Sequence, residues 1–367
     1  MSEHPQNDLQ SALSGVRADI DRIDGDILRL LNERARCAQK VGEIKAEFGD
    51  AGFIYRPERE AQVLRRLQEL NPGPLPNENI TFFFREVMSA CLSLEQPLSI
   101  ACLGPLGSFT CAAATKHFGH AARLLPQASI DDAFREVESG RAHYVVAPIE
   151  NSTEGAVGRS MDILLGTPLK ICGEVVLRIH QNLMTRAATL GEITKVYSHA
   201  QSLAQCHEWL NRNLPGVPRV SVASNSLAAQ MAAGEPGAAA IAGRAASEQT
   251  GLPMFAENIE DEPNNTTRFL ILGKHDAGVT GRDKTSLIMS APNRTGALHE
   301  LLQPLAVAGV SMCRLESRPA KNALWEYVFY VDIEGHRSEA PIAAALDRLA
   351  ANAAYLKILG SYPVAVY

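Results

Sequence analysis

The chain lacks several features that mark large protein classes. Among its 367 residues the seven cysteines (Cys37, Cys91, Cys102, Cys111, Cys172, Cys206 and Cys313) are scattered, odd in number and free of any C-x-x-C. That pattern excludes a disulfide framework and a cysteine-built zinc site, and it predicts a reducing, cytoplasmic setting. Positive charge is in short supply: 35 Lys and Arg against 41 Asp and Glu give a formal charge of -6, without the basic face that nucleic-acid binding needs. No apolar run is long enough to span a bilayer, and Met1 to Gln10 is polar with no apolar h-region, so neither membrane insertion nor secretion is expected. G-K-[ST] and G-x-G-x-x-G are both missing, which leaves nucleotide phosphate binding unsupported. What is present, 46% hydrophobic and 21% charged residues, suits a soluble globular protein of two or three domains.

Proline is absent from Val16 to Phe48, where Ile20, Ile23, Ile27, Leu30, Leu31, Ala38, Val41 and Ile44 recur at helical spacing. About 30 residues at 1.5 Å each make a rod on the order of 45 Å. A second helix is predicted from Pro57, a favourable first position, to Leu70, where Asn71-Pro72-Gly73-Pro74 ends it. A third spans Asn79 to Glu95 with Ile80, Phe83, Phe84, Val87, Met88, Cys91 and Leu92 on its inner face. Neither later helix covers the first, so the exposed stripe predicts a second copy of the chain as partner. Charges break these stripes. Arg34 and Lys45, eleven residues apart, point the same way; Glu95 continues the line of Phe84, Met88 and Cys91; Arg59 and Glu60 open the second helix. Buried charge needs a counter-charge, so the cluster reads as the site of a bound dicarboxylate, with internal Arg–Glu pairing or a solvated edge as the alternative.

At Gln96-Pro97 the rhythm changes to alternating strands and helices. Strands are expected at Leu98–Leu103, Tyr144–Ile149, Ile171–Leu177, Lys195–Tyr197, Arg219–Val222, Ala238–Ala242 and Arg268–Leu272, and helices at 109–118, 130–139, 157–165, 201–211, 226–233 and 243–250. This is a βαβ pattern with a mainly parallel sheet, in one or two lobes. Small polar residues crown the strand ends: Gly104-Pro105-Leu106-Gly107-Ser108, Glu150-Asn151-Ser152-Thr153-Glu154-Gly155, Ser198-His199-Ala200-Gln201-Ser202, Ser224-Asn225-Ser226 and Gly243-Arg244. One such junction is an ordinary capped turn; their repetition aims several helix starts at one crevice, where free N–H groups favour an anion. Asn264-Asn265-Thr266-Thr267-Arg268-Phe269 adds hydroxyls, amides and one guanidinium, with Arg268 the natural carboxylate ligand. His199 is a possible acid or a structural loop histidine. From Thr285 the order strand, helix, strand, strand, helix, strand gives a βαββαβ unit.

Val16-Arg17, Leu31-Asn32-Glu33-Arg34, Val41-Gly42-Glu43-Ile44-Lys45 and Arg59-Glu60 resemble the all-helical chorismate mutases. That resemblance implies an interlocked dimer. Arg17 of one copy, with Arg34 and Arg59, would hold the substrate carboxylates; Lys45 would donate to the ether oxygen, and Glu60 would accept from the substrate hydroxyl. Some members carry glutamine at the Glu95 position; a carboxylate there repels the ether oxygen unless protonated. Glu150-Asn151-Ser152-Thr153-Glu154-Gly155, Leu169-Lys170-Ile171-Cys172-Gly173-Glu174, Tyr197-Ser198-His199 and Asn265-Thr266-Thr267-Arg268-Phe269 resemble prephenate dehydratase, which implies site roles for Asn151, Ser198, Gln205, Thr267, Arg268 and Phe269. Thr267 would assist the leaving hydroxide. Pro292-Asn293-Arg294-Thr295-Gly296-Ala297-Leu298 and Glu316-Ser317-Arg318-Pro319 resemble the ACT domain, which implies phenylalanine bound between paired domains at Gly296, Ala297, Leu298, Glu316, Ser317 and Arg318.

Together these resemble the bifunctional chorismate mutase–prephenate dehydratases. The expected fold is multi-domain: an all-α mutase domain (1–96), a two-lobed α/β dehydratase domain (97–275) and an α+β ferredoxin-like ACT domain (283–362). The resemblance implies chorismate and prephenate as substrates, phenylalanine as effector, a homodimer or higher homo-oligomer, and no metal or other cofactor. The competing readings are an ACT unit that only dimerises, a non-catalytic sensor of small dicarboxylates, and a chain with only one competent centre.

Overall fold

The computed structural model describes residues 4–48, 53, 55–291, 294–320 and 327–366, with side chains from Leu13 onward. The Pro292-Asn293 part of the ACT motif lies outside the described residues, and so does the start of the strand expected over Leu324–Ile333 in the last unit.

Three helices come first: α1 (His4–Glu47), α2 (Pro57–Leu70) and α3 (Asn77–Glu95). α1 runs 44 residues, longer at its start than the apolar pattern required, because no helix breaker intervenes after Pro5. Only its C-terminal part packs on α3; Val16, Ile20, Ile23, Ile27, Leu30 and Leu31 all stand exposed.

The middle of the chain forms β1 (Ser99–Leu103), α4 (Phe109–Phe118), β2 (Arg123–Gln127), α5 (Ile130–Glu138), β3 (Tyr144–Asn151), β4 (Gly155–Ala156), α6 (Gly158–Gly166) and β5 (Lys170–Arg178). It continues through β6 (Asn182–Thr185), β7 (Lys195–Ser198), α7 (Ala200–Gln205), α8 (His207–Asn213), β8 (Arg219–Ser221), α9 (Asn225–Gly234), β9 (Ala238–Ala242), α10 (Arg244–Thr250), β10 (Met254–Ala256) and β11 (Thr266–Gly273). These make two sheets, ordered β2-β1-β3-β11-β5 with β4 on β3, and β10-β6-β9-β7-β8. Two lobes are therefore present, but the mainly parallel expectation needs correction. β11 returns from the second lobe to lie antiparallel between β3 and β5, and β6 lies antiparallel between β9 and β10. The expected helix over 201–211 is two helices, because the Asp261 carboxylate accepts from the Glu208 and Trp209 N–H groups and starts α8 afresh.

The last unit is β12 (Asp283–Ser290), α11 (Ala297–Val307), β13 (Met312–Pro319), β14 (Tyr327–Glu334), α12 (Ala340–Asn352) and β15 (Tyr355–Pro363), with antiparallel strand order β13-β14-β12-β15. The α+β ferredoxin-like expectation holds. Its sheet docks on the first lobe. At Gly360 any Cβ would collide with the Ile171 carbonyl on β5, so only glycine permits this approach. Lys357 donates to the carbonyls of Leu164, Leu165 and Thr167 at the end of α6, and the Tyr330 hydroxyl donates to the Met161 carbonyl.

Candidate active sites

Between the two lobes of the middle unit lies a cleft of about 320 Å³, at the small end of ligand-sized pockets. The strand ends singled out in the sequence converge there: Gly104, Gly107 and Ser108, His199 and Ser202, Ser224 to Ser226, and Gly243 all line it. Ser108 caps α4 by accepting from the Cys111 N–H, and Ser224 caps α9 by accepting from the Leu227 N–H. Among the described residues lining the cleft none is Lys, Arg, Asp or Glu, and His199 is the one titratable side chain. An anion entering it meets helix starts, amides and hydroxyls in place of fixed cations.

Asn151 is the hub. Its Oδ1 accepts from the Thr153 N–H (3.1 Å), the Thr153 hydroxyl (2.6 Å) and the Glu154 N–H (3.2 Å), which folds the Glu150–Gly155 turn around it. Its Nδ2 donates to Asn265 Oδ1 and to Thr267 Oγ1, both at 2.8 Å. The Thr267 oxygen therefore receives one hydrogen and keeps its own free to donate into the cleft. Gln205 Oε1 accepts from Asn265 Nδ2 (3.1 Å) and Gln181 Nε2 (3.2 Å), while its Nε2 donates to Glu154 Oε1 (3.1 Å), tying the lobes across the mouth. Phe269 is buried in the cleft wall.

Two expected residues stand elsewhere. Ser198 is fully buried beneath the cleft, its one hydroxyl proton shared between Asn225 Oδ1 (2.9 Å) and the Ile241 carbonyl (2.8 Å), so it braces Asn225 and does not line the cleft. Arg268 does not face the cleft at all. β11 begins at Thr266, and strand alternation sends Thr267 and Phe269 to one face and Arg268 to the other. Its guanidinium meets Glu174 (2.8 Å), Asp332 (2.5 Å) and the Tyr362 hydroxyl (2.9 Å) against the last unit. Burial alone would lower its pKa, but the Tyr362 phenol, Asp332 and Glu174 outweigh burial and hold it protonated. The expectation that Arg268 grips a substrate carboxylate is corrected by this placement. Sequence reasoning missed Gln181, and it named Ser202, Asn225, Ser226 and Asn265 only as parts of the strand-end turns and the Asn264–Phe269 stretch, without site roles. Gln181 Oε1 and Ser226 Oγ are buried on the cleft wall with no hydrogen-bond partner, which leaves an acceptor and a hydroxyl for a ligand.

In the helical segment Lys45 and Glu95, each read as an inward charge on its own helix, pair with one another: Nζ lies 3.3 Å from Oε1, both half-buried between α1 and α3. Gly42 makes the room, since a Cβ there would press at 3.0 Å on the Glu95 Cγ. Arg34 is half-buried on the same helix, while Arg17 and Arg59 are exposed. Glu60 is turned the other way. Its carboxylate pairs with Arg85 at 3.3 Å in the seam where α2 meets β5 and the C-terminal tail. Burial raises its pKa against the pull of Arg85, so the expected role on the substrate hydroxyl does not fit this placement. In the last unit Gly296, at φ +77°, opens α11 ahead of Ala297 and Leu298, and Glu316, Ser317 and Arg318 lie on the edge strand β13, with Arg318 3.4 Å from Asp162 of α6.

Family models match in the same order: chorismate mutase type II over residues 16–96, prephenate dehydratase over 100–277 and the ACT domain over 285–351. A bifunctional chorismate mutase/prephenate dehydratase of Neisseria gonorrhoeae is 58% identical over 354 residues, covering 95% of this chain and 96% of its own. Among solved structures, the prephenate dehydratase of Arthrobacter aurescens in complex with L-Phe is 34% identical, with a TM-score of 0.67 over 72% of this chain and 90% of its own. The quorum-quenching acylase GqqA is 30% identical, with a TM-score of 0.66 over 73% of this chain and 98% of its own. Similar along almost its whole length to a relative that joins both enzymes, and built of the same three units in the same order, the chain belongs to the family of bifunctional chorismate mutases/prephenate dehydratases.

Proposed function

We propose that this protein rearranges chorismate to prephenate between its helices, then dehydrates and decarboxylates prephenate to phenylpyruvate in the inter-lobe cleft, under feedback inhibition by phenylalanine at the ACT unit. The observation that carries the reading is the Thr267 hydroxyl, which accepts from Asn151 and keeps a proton for the cleft.

In the dehydratase step the ring C–O bond and the bond to the departing carboxylate break together. The electron pair released with CO2 aromatises the ring, and the hydroxide leaves as water with a proton or hydrogen bond from Thr267. No base is required. The helix starts at α4 and α9, with Ser226 and Gln181, bind the retained carboxylate and orient the ring. The apolar wall of Phe109, Pro148, Ile179 and Phe269 leaves the departing carboxylate poorly solvated, which favours loss of its charge as CO2. The GqqA likeness suggests acyl transfer in the same cleft, but the Thr267 and Ser202 hydroxyls bond to amides, and among the described residues no general base bonds to either.

In the mutase step the rearrangement is unimolecular, so the site has to freeze the reactive conformer and stabilise charge developing on the ether oxygen. Lys45 donates to that oxygen beside Glu95, and Arg34, Arg59 and Arg17 of a second copy hold the carboxylates. The exposed α1 stripe is the surface on which that second copy sits, giving a homodimer or a higher homo-oligomer. Phenylalanine binds at Gly296, Ala297, Leu298, Glu316, Ser317 and Arg318 where two ACT units meet, and a cytoplasmic location follows from the substrates. Feeding chorismate and following prephenate and phenylpyruvate tests the reading: both should form in sequence, and absence of either product removes one centre.

A further inference from the structure

Two cross-strand pairs stand face to face where the ACT sheet docks. On β3 and β11, Glu150 is registered opposite Arg268; on β13 and β14, Arg314 is registered opposite Asp332. Across the interface Glu150 meets Arg314 at 2.8 Å and Arg268 meets Asp332 at 2.5 Å. Every charge of this square therefore has an opposite charge beside it and another facing it. Its members are tied further. Glu174 binds both Arg268 and Lys284, and Ser286 donates to Asp332 while bonding to Tyr362.

Directly behind the square, on the other face of the same two strands, the next registered pair is Asn151 opposite Thr267. These are the two residues whose hydrogen bond frees the Thr267 proton. One further observation singles out this end of the sheet. The β3–β11 register shifts between Arg268 and Phe269, so that Phe269 faces Pro148 and Ile149 is passed over. A bulge of this kind bends the strand and separates its tip from the ladder behind it. β11 itself stays in unbroken register with β5 from Thr266 to Ile271, and β4 pairs with the end of β3. The offset is therefore confined to the β3–β11 seam, which is the seam that sets the Asn151–Thr267 spacing and the one the ion pairs on its back brace.

We propose that Glu150 and Arg268 are positioning residues for the dehydratase: clamped by Arg314 and Asp332 of the ACT sheet, they fix the Asn151–Thr267 spacing and so set turnover. The proposal rests on the reading of Thr267 as proton donor. It assigns the guanidinium of Arg268 to the interface, and gives Arg314, which lies on β13 and does not line the cleft, an effect on chemistry.

The experiment compares the full-length enzyme with Arg314→Gln, Arg314→Lys, Asp332→Asn, Glu150→Gln and the Glu150→Gln/Arg314→Gln double variant. Both activities and thermal stability are measured on each. Arg314→Gln and Asp332→Asn should lower dehydratase kcat by roughly tenfold through misplacement of Thr267, leaving KM for prephenate and the mutase activity as in the wild type. Arg314→Lys should recover most of the kcat, and the double variant should be no slower than Arg314→Gln alone, because the two side chains act as one pair. Wild-type dehydratase kcat in both Arg314→Gln and Asp332→Asn overturns the proposal. So does a loss shared equally by the mutase, which would mark a general loss of fold. Thr267→Val run alongside separates the two readings: if it keeps wild-type kcat while Arg314→Gln does not, Thr267 is not the donor but the interface still controls the site.

Discussion

Thr267 and Arg268 are consecutive on β11 and serve opposite faces of one sheet: Thr267 Oγ1 lies 2.8 Å from Asn151 Nδ2 inside the cleft, and Arg268 Nη1 lies 2.5 Å from Asp332 Oδ2 against the ACT unit. The adjacent hydroxyl and guanidinium thus divide the work of the motif. Chemistry is assigned to the residue that keeps a proton for the cleft, and domain attachment to the one buried among three oxygen partners. Among the described residues lining the cleft there is no Lys or Arg, so the proposed reading leaves substrate charge to helix starts and neutral donors.

If Thr267 supplies the proton, Thr267→Val, which is nearly isosteric and lacks the hydroxyl, should lower dehydratase kcat by about 10²- to 10⁴-fold. Thr267→Ser should keep most of it. Steady-state rates on prephenate check this, and a Thr267→Val enzyme within threefold of wild type would remove the hydroxyl from the mechanism.

At the mutase site, Lys45→Met should abolish turnover of chorismate while leaving prephenate turnover intact. Glu95→Gln replaces a carboxylate 3.3 Å from Lys45 Nζ with an amide that can itself donate to the ether oxygen. Mutase kcat/KM at neutral pH should therefore be at least that of the wild type. A loss of roughly tenfold or more in that variant would show that the carboxylate is needed to hold Lys45 in place.

The α1 stripe leads to a prediction about assembly. Ile20 and Ile27 are about half exposed and lie two turns apart on one face. Ile20→Asp/Ile27→Asp should dissociate the oligomer in analytical ultracentrifugation and cut mutase activity by roughly a hundredfold through loss of the partner's Arg17. Dehydratase kcat should fall far less. Full mutase activity in a monomeric variant would contradict a shared site.

His117 sits in the seam between the mutase helices and β5, with its Nε2 hydrogen-bonded to the Tyr55 hydroxyl at 2.9 Å. Burial, with Arg85 nearby, pushes its pKa down to about 3. The unfolded chain then takes up this proton near pH 6.5 and the folded one does not, so stability is lost as pH falls below 6.5, by roughly 1.4 kcal/mol per pH unit until the folded pKa is reached. His117→Gln should flatten the fall in Tm between pH 6.5 and pH 5. An unchanged slope in that variant would place the acid sensitivity elsewhere.

Much of this was legible in the chain. The long proline-free stripe, the inward setting of Lys45 and Glu95 and the convergence of strand-end turns on one cleft follow from periodicity and from where small polar residues fall. Arg268 lies elsewhere than its motif suggests because the strand begins at Thr266, two residues before the apolar run, and two-residue alternation then turns the guanidinium away from the face of Thr267. Glu60 went astray for a different reason. Its partner Arg85 lies on another helix and its surroundings come from β5 and the C-terminal tail, so no local pattern announces the seam. Gln181 has no sequence signal at all, since only the fold brings β6 to the cleft beside Gln205. The insertion of β11 between β3 and β5 is equally silent, because a strand buried on both sides reads alike in either direction.

The central claim is that one chain carries two separable centres used in series, and a chorismate time course on three enzymes tests it most directly. The wild type should pass chorismate through prephenate to phenylpyruvate, Lys45→Met should consume prephenate but not chorismate, and Thr267→Val should convert chorismate and accumulate prephenate. Loss of both steps in either variant, or phenylpyruvate formed from chorismate by Thr267→Val at the wild-type rate, would contradict it.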